Sequence, residues 1–322
     1  MAAEDRAVKD GAERKPVVLK AAKLPDRTVR ELGELFDLRV LPEEKDAAAA
    51  FLAVHGREAR GIALRKTIID AAFLDAVPNL EIIASYSAGL ENVDVAEVKA
   101  RGIEITNTSH LLAEDVANAA LALALVVTRD ILNADAFVRA GDWPGQLQYR
   151  LTRSLTAMTV GIVGFGAIGS AVARRLQAVG ARVAYQGPRR KPVDLPYHAD
   201  VRSLAEACDM LILTCPLLPE TRHVVDAGVL AALGPRGYLV NVSRGPVVDE
   251  AALLDALARD ALAGAALDVF EHEPQVPPAL IADRRVVLTP HLSSGTEETR
   301  GAMADNVVDE LARRLGVAAP AR

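Results

Sequence analysis

Two doubly wound α/β domains, one inserted into the chain of the other, are the architecture this sequence predicts. Three observations carry the expectation. Short apolar runs alternate with helix-length segments on both sides of residue 109. A glycine-rich strand–turn–helix unit opens only at Val160, well after the first strands. The closing helix, "TEETRGAMADNVVDELARRLG", has no strand of its own to accompany it, so it is expected to fold back onto the first domain. At 322 residues the chain is also long for a single core.

Taken in order, "KPVVLKA" (Lys15–Ala21) is a buried strand ahead of a proline turn. "ARGIAL", "IIDAAFLDAV" and "LEIIASYSAG" continue the α/β material, with apolar residues close enough together for a parallel strand. "VDVAEVKARG" reads as a helix closing on Gly102, and "IEITN" as the next strand. From Ser109 to Trp143 the pattern is one long helix, with Ser109 as N-cap and acids in its first turns. "MTVGIVG", a glycine turn, the helix "AIGSAVARRLQAVG" closing on Gly180, and the strand "RVAYQ" follow. Four more helix–strand segments lead to "RRVVLTPH". The boundaries expected are 1–108 plus 292–322 for the outer domain and 109–291 for the inserted one.

Bulk properties exclude several classes. A net charge of −6 argues against binding nucleic acid or an anionic membrane surface. The longest apolar run, Ala119–Val127, is too short to span a bilayer, which takes ~20 residues. The first 16 residues are charged from Glu4 onward and read as a tail rather than a signal peptide. Two cysteines, Cys208 and Cys215, without CxxC or His-rich spacing, imply a cytoplasmic, reducing setting and no metal site.

Gly164-Phe165-Gly166-Ala167-Ile168-Gly169 has the GxGxxG spacing between a strand and a helix, the context that makes it a dinucleotide-binding turn in a Rossmann-like domain. Gly164 serves the tight turn, Gly166 admits the pyrophosphate, and Gly169 allows close helix–sheet packing. Gln186 lies 20 residues past Gly166, where an NAD-binding unit places an acid on the ribose 2′-hydroxyl. Here Arg189, Arg190 and Lys191 follow instead, and arginine pairs with a phosphate through a fork. The expected cofactor is NADP(H), with NAD(H) as the alternative.

Three strand-end segments carry candidate chemistry: Arg244 in "LVNVSRGPVVDE", Glu273 in "GAALDVFEHEP" and His291 in "VVLTPHLSSGTEET". Beside a nicotinamide, arginine can bind a substrate carboxylate, histidine can protonate an alkoxide, and the acid can orient the imidazole. His55, His110, His198, His223 and His272 read as surface or structural residues, although His55 and His110 could approach the pocket from loops. Trp143 reads as packing, and Cys215 as small filler rather than a nucleophile.

The ordered stretches "LEIIASYSAGLENVD", "VGIVGFGAIG", "PLLPETRHVV", "LVNVSRGPVVDE", "ALDVFEHEP" and "LTPHLSSGT" resemble the D-isomer-specific 2-hydroxyacid dehydrogenase family, and within it the NADPH-dependent glyoxylate, hydroxypyruvate and hydroxyphenylpyruvate reductases. The resemblance implies a flavodoxin-like substrate domain around the Rossmann-like one, a homodimer, and reduction of small 2-oxo acids such as glyoxylate and hydroxypyruvate to D-2-hydroxy acids. It makes Arg244 the substrate-binding arginine, His291 the proton donor and Glu273 its partner. It has Ala88 and Gly89 offer N–H groups to the substrate carboxylate. Asp268 would meet the nicotinamide carboxamide, and Cys215, Pro216, Thr221, Val242, Ser243 and Ser294 would lie along the cofactor. Departures are Ala167, where a basic residue is common, and Pro188, where related reductases often carry arginine. The rival readings are an NAD-dependent D-2-hydroxyacid or D-3-phosphoglycerate dehydrogenase, which expects an acid at Gln186, and a non-catalytic dinucleotide-sensing dimer resembling the family's corepressors.

Overall fold

The structure, a computed structural model, describes residues 14–145 and 148–319. The expected N-terminal tail therefore lies almost wholly outside the described residues. The chain divides into two compact units, residues 1–108 with 302–322 and residues 109–301.

In the first unit β1 (Val17–Ala21), α1 (Asp26–Leu35), β2 (Asp37–Val40), α2 (Lys45–His55), β3 (Ala59–Leu64), α3 (Ala71–Ala76), β4 (Ile82–Ser85), α4 (Val95–Ala100) and β5 (Glu104–Thr106) follow one another. All five strands are parallel, in the order β2-β1-β3-β4-β5. Val18, Leu19, Ile62, Ile82 and Ile83 are fully buried, as strands covered on both faces require. The segment from α1 to α2 carries no signal in the sequence reading. Its strand β2 is a short edge, half exposed, with Asp37 and Arg39 on it.

The second unit contains α5 (Ala113–Arg129), α6 (Ile131–Arg139), β6 (Thr159–Val163), α7 (Ala167–Ala178), β7 (Arg182–Gln186), β8 (Tyr197–His198), α8 (Val201–Glu206), β9 (Met210–Leu213), α9 (Ala227–Leu233), β10 (Tyr238–Asn241), α10 (Glu250–Ala258), β11 (Gly264–Leu267), α11 (Pro278–Ala282) and β12 (Val286–Leu288). Its seven parallel strands run in the order β12-β11-β10-β9-β6-β7-β8. The chain moves outward from β6 through β7 and β8, then crosses back to β9, so the sheet's switch point lies between β6 and β9. Every residue of β9 is completely buried.

Two expectations need correction. The helix expected from Ser109 to Trp143 is two helices, broken at Asp130, which adopts a left-handed backbone (φ 53°). The bend brings three donors to the Asp130 carboxylate: Asn133 Nδ2 (2.6 Å), Tyr149 OH (2.6 Å) and Arg150 Nε (2.7 Å). Burial works against the charged form of Asp130, yet these three hydrogen bonds hold its pKa below the usual carboxylate range. Ser109 is not the cap. It sits in a turn, and α5 starts at Ala113 after Leu112, without a side-chain cap. Trp143, read as a packing residue or a subunit contact, is 56% exposed in the single chain.

The second boundary also differs from 291/292, because α12 (Glu297–Leu315) changes unit after Gly301. Thr296 and Thr299 both donate to Asp115 Oδ2 at 2.5 Å, which ties the start of this helix to α5. Beyond it, Val307, Val308 and Leu311 are fully buried. Among the described residues, no helix is long and apolar enough to cross a membrane.

Candidate active site

Register places the site. Gln186 pairs with Val163, Val163 with Leu213, Leu213 with Asn241, Asn241 with Leu267, and Leu267 with Leu288. These six residues form one row across the carboxyl end of the second unit's sheet. The loops that follow five of them carry the glycine turn, Thr214–Pro216, Val242–Arg244, Asp268–Glu273 and Thr289–His291. Open α/β sheets bind ligands at this end, beside the switch point.

A cleft of about 370 Å³ opens there, lined among others by Gly164, Phe165, Gly166, Gln186, Arg189 and Lys191. The glycines of its wall are each set by close backbone geometry or by open space. Gly164 has φ +90°, and a Cβ on it would lie 2.6 Å from the Cys215 backbone. A Cβ on Gly169 would meet the Gly164 carbonyl oxygen at 2.2 Å. At Gly166 a Cβ would project into open space, the room a pyrophosphate needs at the start of α7, whose N-cap supplies no side-chain hydrogen bond. Ala167 and Ile168 form the first turn of that helix and do not line the cleft.

Cys215, Pro216 and Thr221 do line it. Thr221 Oγ1 donates to the Pro216 carbonyl (2.7 Å) and accepts from Leu218 N–H (2.7 Å), so it shapes the loop. Burial pushes the Cys215 thiol up to about 11, which keeps it protonated and agrees with its reading as filler.

The loop after Gln186 is fixed by tyrosines that the sequence reading passed over. Tyr185 is fully buried, packs against the Phe165 ring at 4.3 Å, and accepts the Lys191 backbone N–H at 2.7 Å. Tyr197 OH donates to the Gly187 carbonyl at 3.1 Å. So held, the loop lines the cleft with Arg189 and Lys191. Arg190, also expected there, does not line it. Glu220 is a carboxylate on the opposing segment of the lining.

Farther along the row, Asn241 is buried. It accepts Ser243 N–H and Oγ–H (3.0 and 2.7 Å) and donates to the Arg244 carbonyl (3.0 Å), which fixes the turn that presents Arg244. Val242 and Ser243 are buried, and with Ser294 they lie off the cleft lining. Gly245 then touches the next loop backbone to backbone: a Cβ on it would fall 1.9 Å from the Phe270 carbonyl oxygen. Glu271, beside that contact, accepts from Arg222 Nη2 (3.2 Å) and pairs with His223 Nε2 (2.8 Å). His223 N–H in turn donates to the Pro246 carbonyl (2.8 Å). Three loops are thereby stitched together, with His223 structural as read. No spacing signal marks Glu271, because its partners come from 48 residues away.

Glu273 accepts the Phe270 N–H through Oε1 (3.3 Å) and meets His291 Nδ1 through Oε2 (2.8 Å). The His291 side chain remains 45% exposed, with Nδ1 turned to the acid and Nε2 left for a ligand. His291 holds a left-handed backbone, φ 53°, with its N–H donating to the Asp268 carbonyl (2.8 Å).

Asp268, expected to meet the nicotinamide carboxamide, is engaged by its own chain. It is 1% exposed, and its carboxylate is filled by its own chain. Oδ1 accepts from Thr289 Oγ1 (2.6 Å) and Leu292 N–H (2.8 Å), and Oδ2 from Ser293 N–H (2.9 Å) and Oγ (2.6 Å). The clamp holds the loop that carries His291. In the first unit, Ala88 and Gly89 stand in the loop after β4, where Ser87 Oγ donates to the Gly89 carbonyl (2.8 Å).

Comparison with known proteins agrees with this arrangement. Residues 121–293 match the family model for the D-isomer specific 2-hydroxyacid dehydrogenase, NAD binding domain. The chain is 46% identical over 243 residues to glyoxylate/hydroxypyruvate reductase A HPR2 of Arabidopsis thaliana, covering 75% of this chain and 77% of that one. It is 42% identical over 280 residues to hydroxyphenylpyruvate reductase of Plectranthus scutellarioides, covering 86% and 88%. Among solved structures, it is similar to the NADPH-dependent glyoxylate/hydroxypyruvate reductase of Sinorhizobium meliloti in complex with NADP and malonate. That similarity has a TM-score of 0.84 at 40% identity and covers 92% of this chain and 93% of that one.

The contact between Gly245 and Phe270 generates a prediction. Gly245→Ala forces the Arg244 and Glu273 loops apart, costing about 1–3 kcal/mol as overpacking does. Chemical denaturation should register that loss. Unchanged stability would mean the two loops separate freely.

Proposed function

Because this chain belongs to the D-isomer-specific 2-hydroxyacid dehydrogenase family, we propose that it reduces small 2-oxo acids, glyoxylate and hydroxypyruvate foremost, to D-2-hydroxy acids with NADPH. The observation that carries the reading is the His291–Glu273 pair standing on the same row of strand ends as Arg244 and the glycine turn.

Arg244 binds the substrate carboxylate and polarises the neighbouring ketone with its fixed positive fork. His291 delivers a proton from Nε2 to the oxygen that becomes the hydroxyl. Glu273 accepts from Nδ1, so the ring keeps one orientation and the imidazolium is stabilised at the moment it is needed. Asp268 keeps the His291 loop in place. The turn from Gly164 to Gly169 and the start of α7 would hold a reduced nicotinamide dinucleotide, which would supply the hydride. Preference for NADPH rests on the lack of a carboxylate at Gln186 and on Arg189 and Lys191 at the cleft.

A homodimer is also inferred. Leu132, Leu151 and Ile281 line one shared cavity of the second unit, yet are 54%, 87% and 64% exposed. Helix α6, next to it, buries no residue. A second copy covering these three side chains explains their exposure within an otherwise charged surface. Light scattering in solution should return twice the chain mass, and a monomer would contradict the inference.

His291→Gln should lower kcat for glyoxylate by about 10²–10⁴-fold, the range of a lost general acid, while NADPH fluorescence titration stays near wild type. A fully active variant would remove His291 from its role. In steady-state kinetics kcat/KM should favour NADPH over NADH by roughly 10–100-fold, the worth of one or two charge-assisted hydrogen bonds. Arg189→Gln with Lys191→Gln should erase that ratio. Equal use of NADH by the unaltered enzyme would overturn the cofactor assignment.

A further inference from the structure

The chain leaves β7 at Gln186 and rejoins the same edge of the sheet at Tyr197, which pairs in register with Tyr185. Between them, residues 188–194 are all exposed. Ordering such a segment around a ligand costs backbone entropy residue by residue.

Two phenols oppose that freedom. The Tyr185 hydroxyl accepts the Lys191 N–H at 2.7 Å and donates to the Lys191 carbonyl at 3.3 Å. One oxygen thus holds both backbone polar groups of a single residue. The Tyr197 hydroxyl donates to the Gly187 carbonyl at 3.1 Å. The segment that carries Pro188, Arg189 and Arg190 is therefore clasped at its two ends.

Tyr185 also reaches the glycine turn. Its side chain is completely buried, with its ring 4.3 Å from that of Phe165 and 5.4 Å from that of Tyr197. Gly164 N–H donates to the Gln186 carbonyl at 3.0 Å, and a Cβ on Gly187 would lie 3.7 Å from the Phe165 nitrogen. One aromatic stack thereby sets the spacing between the glycine turn and the loop whose Arg189 and Lys191 line the cleft. Phenylalanine at position 185 would supply the ring contacts. The two hydrogen bonds to Lys191 require the hydroxyl.

We propose that Tyr185 and Tyr197 are positioning residues for recognition of the dinucleotide's 2′-phosphate. They hold residues 187–191 in shape before the ligand arrives, so Arg189 and Lys191 meet the phosphate with little ordering left to do. The inference rests on the NADPH reading of the cleft and adds to it the uncharged residues on which the preference depends. A dinucleotide without the 2′-phosphate makes no demand on this loop, and its binding is indifferent to the clasp. Preference is a difference of two affinities, and the clasp acts on one of them.

Fluorescence titration of the full-length protein with NADPH and with NADH tests the clasp without turnover, since the two differ only in the 2′-phosphate. The unaltered protein should bind NADPH more tightly. Tyr185→Phe and Tyr197→Phe, which keep both rings, should each weaken NADPH about three- to tenfold, the worth of the hydrogen bonds lost, and leave NADH within about twofold. Tyr238→Phe, at the start of β10, should change neither. Thermal melting of each variant establishes that it is folded, and Tyr197, only half-buried, provides the milder substitution. If the two clasp variants leave NADPH binding unchanged, or weaken NADH as much as NADPH, the positioning role is overturned while the NADPH reading stands. Equal affinity of the unaltered protein for both dinucleotides overturns that reading and the clasp's part in it.

Discussion

The parallel register of the second unit's sheet is the constraint from which the site follows. Five strands end level with Val163, on a single line from Gln186 to Leu288. Val160, Ile162, Leu211 and Leu239 are completely buried, so a one-residue slip in any of their strands would force a close-packed interior to repack. Function-bearing loops separated by more than a hundred residues in sequence are neighbours because the strands beneath them cannot shift.

On that line the loops are joined by short, specific contacts rather than by bulk packing. The Asn241 turn, the Gly245–Phe270 approach, the Glu271–His223 pair and the Asp268 clamp each link one loop to the next or secure a turn within one. Buried polar groups are costly unless they are hydrogen-bonded, and the Asp268 carboxylate accepts four hydrogen bonds, two on each oxygen. The result is an imidazole whose backbone and Nδ1 are both held, with the opposite nitrogen left accessible.

The parts of this site legible in sequence were those with a local pattern. The glycine turn declares itself by spacing between a strand and a helix, and Arg244, Glu273 and His291 stand just past strongly apolar strands. What escaped were long-range relations. Nothing in the sequence around Asp268 shows that its carboxylate holds residues 289–293 in place. Tyr185 gives no sign that its hydroxyl caps a loop six residues on. The break at Asp130 is invisible because helical periodicity persists across it, and its cause is a set of donors that includes Tyr149 and Arg150. Strand β2 was missed because an exposed edge carries no apolar run.

Cys215 stands in the wall of the cleft beside the glycine turn, with its thiol kept neutral by burial. Peroxides and alkylating agents attack thiolates, so a sulfur so poorly ionised is a slow target. Placing cysteine there gives the close packing that the Gly164 backbone demands without installing a redox-sensitive trigger beside that turn. Such an enzyme should keep its cofactor pocket chemically intact under oxidative load.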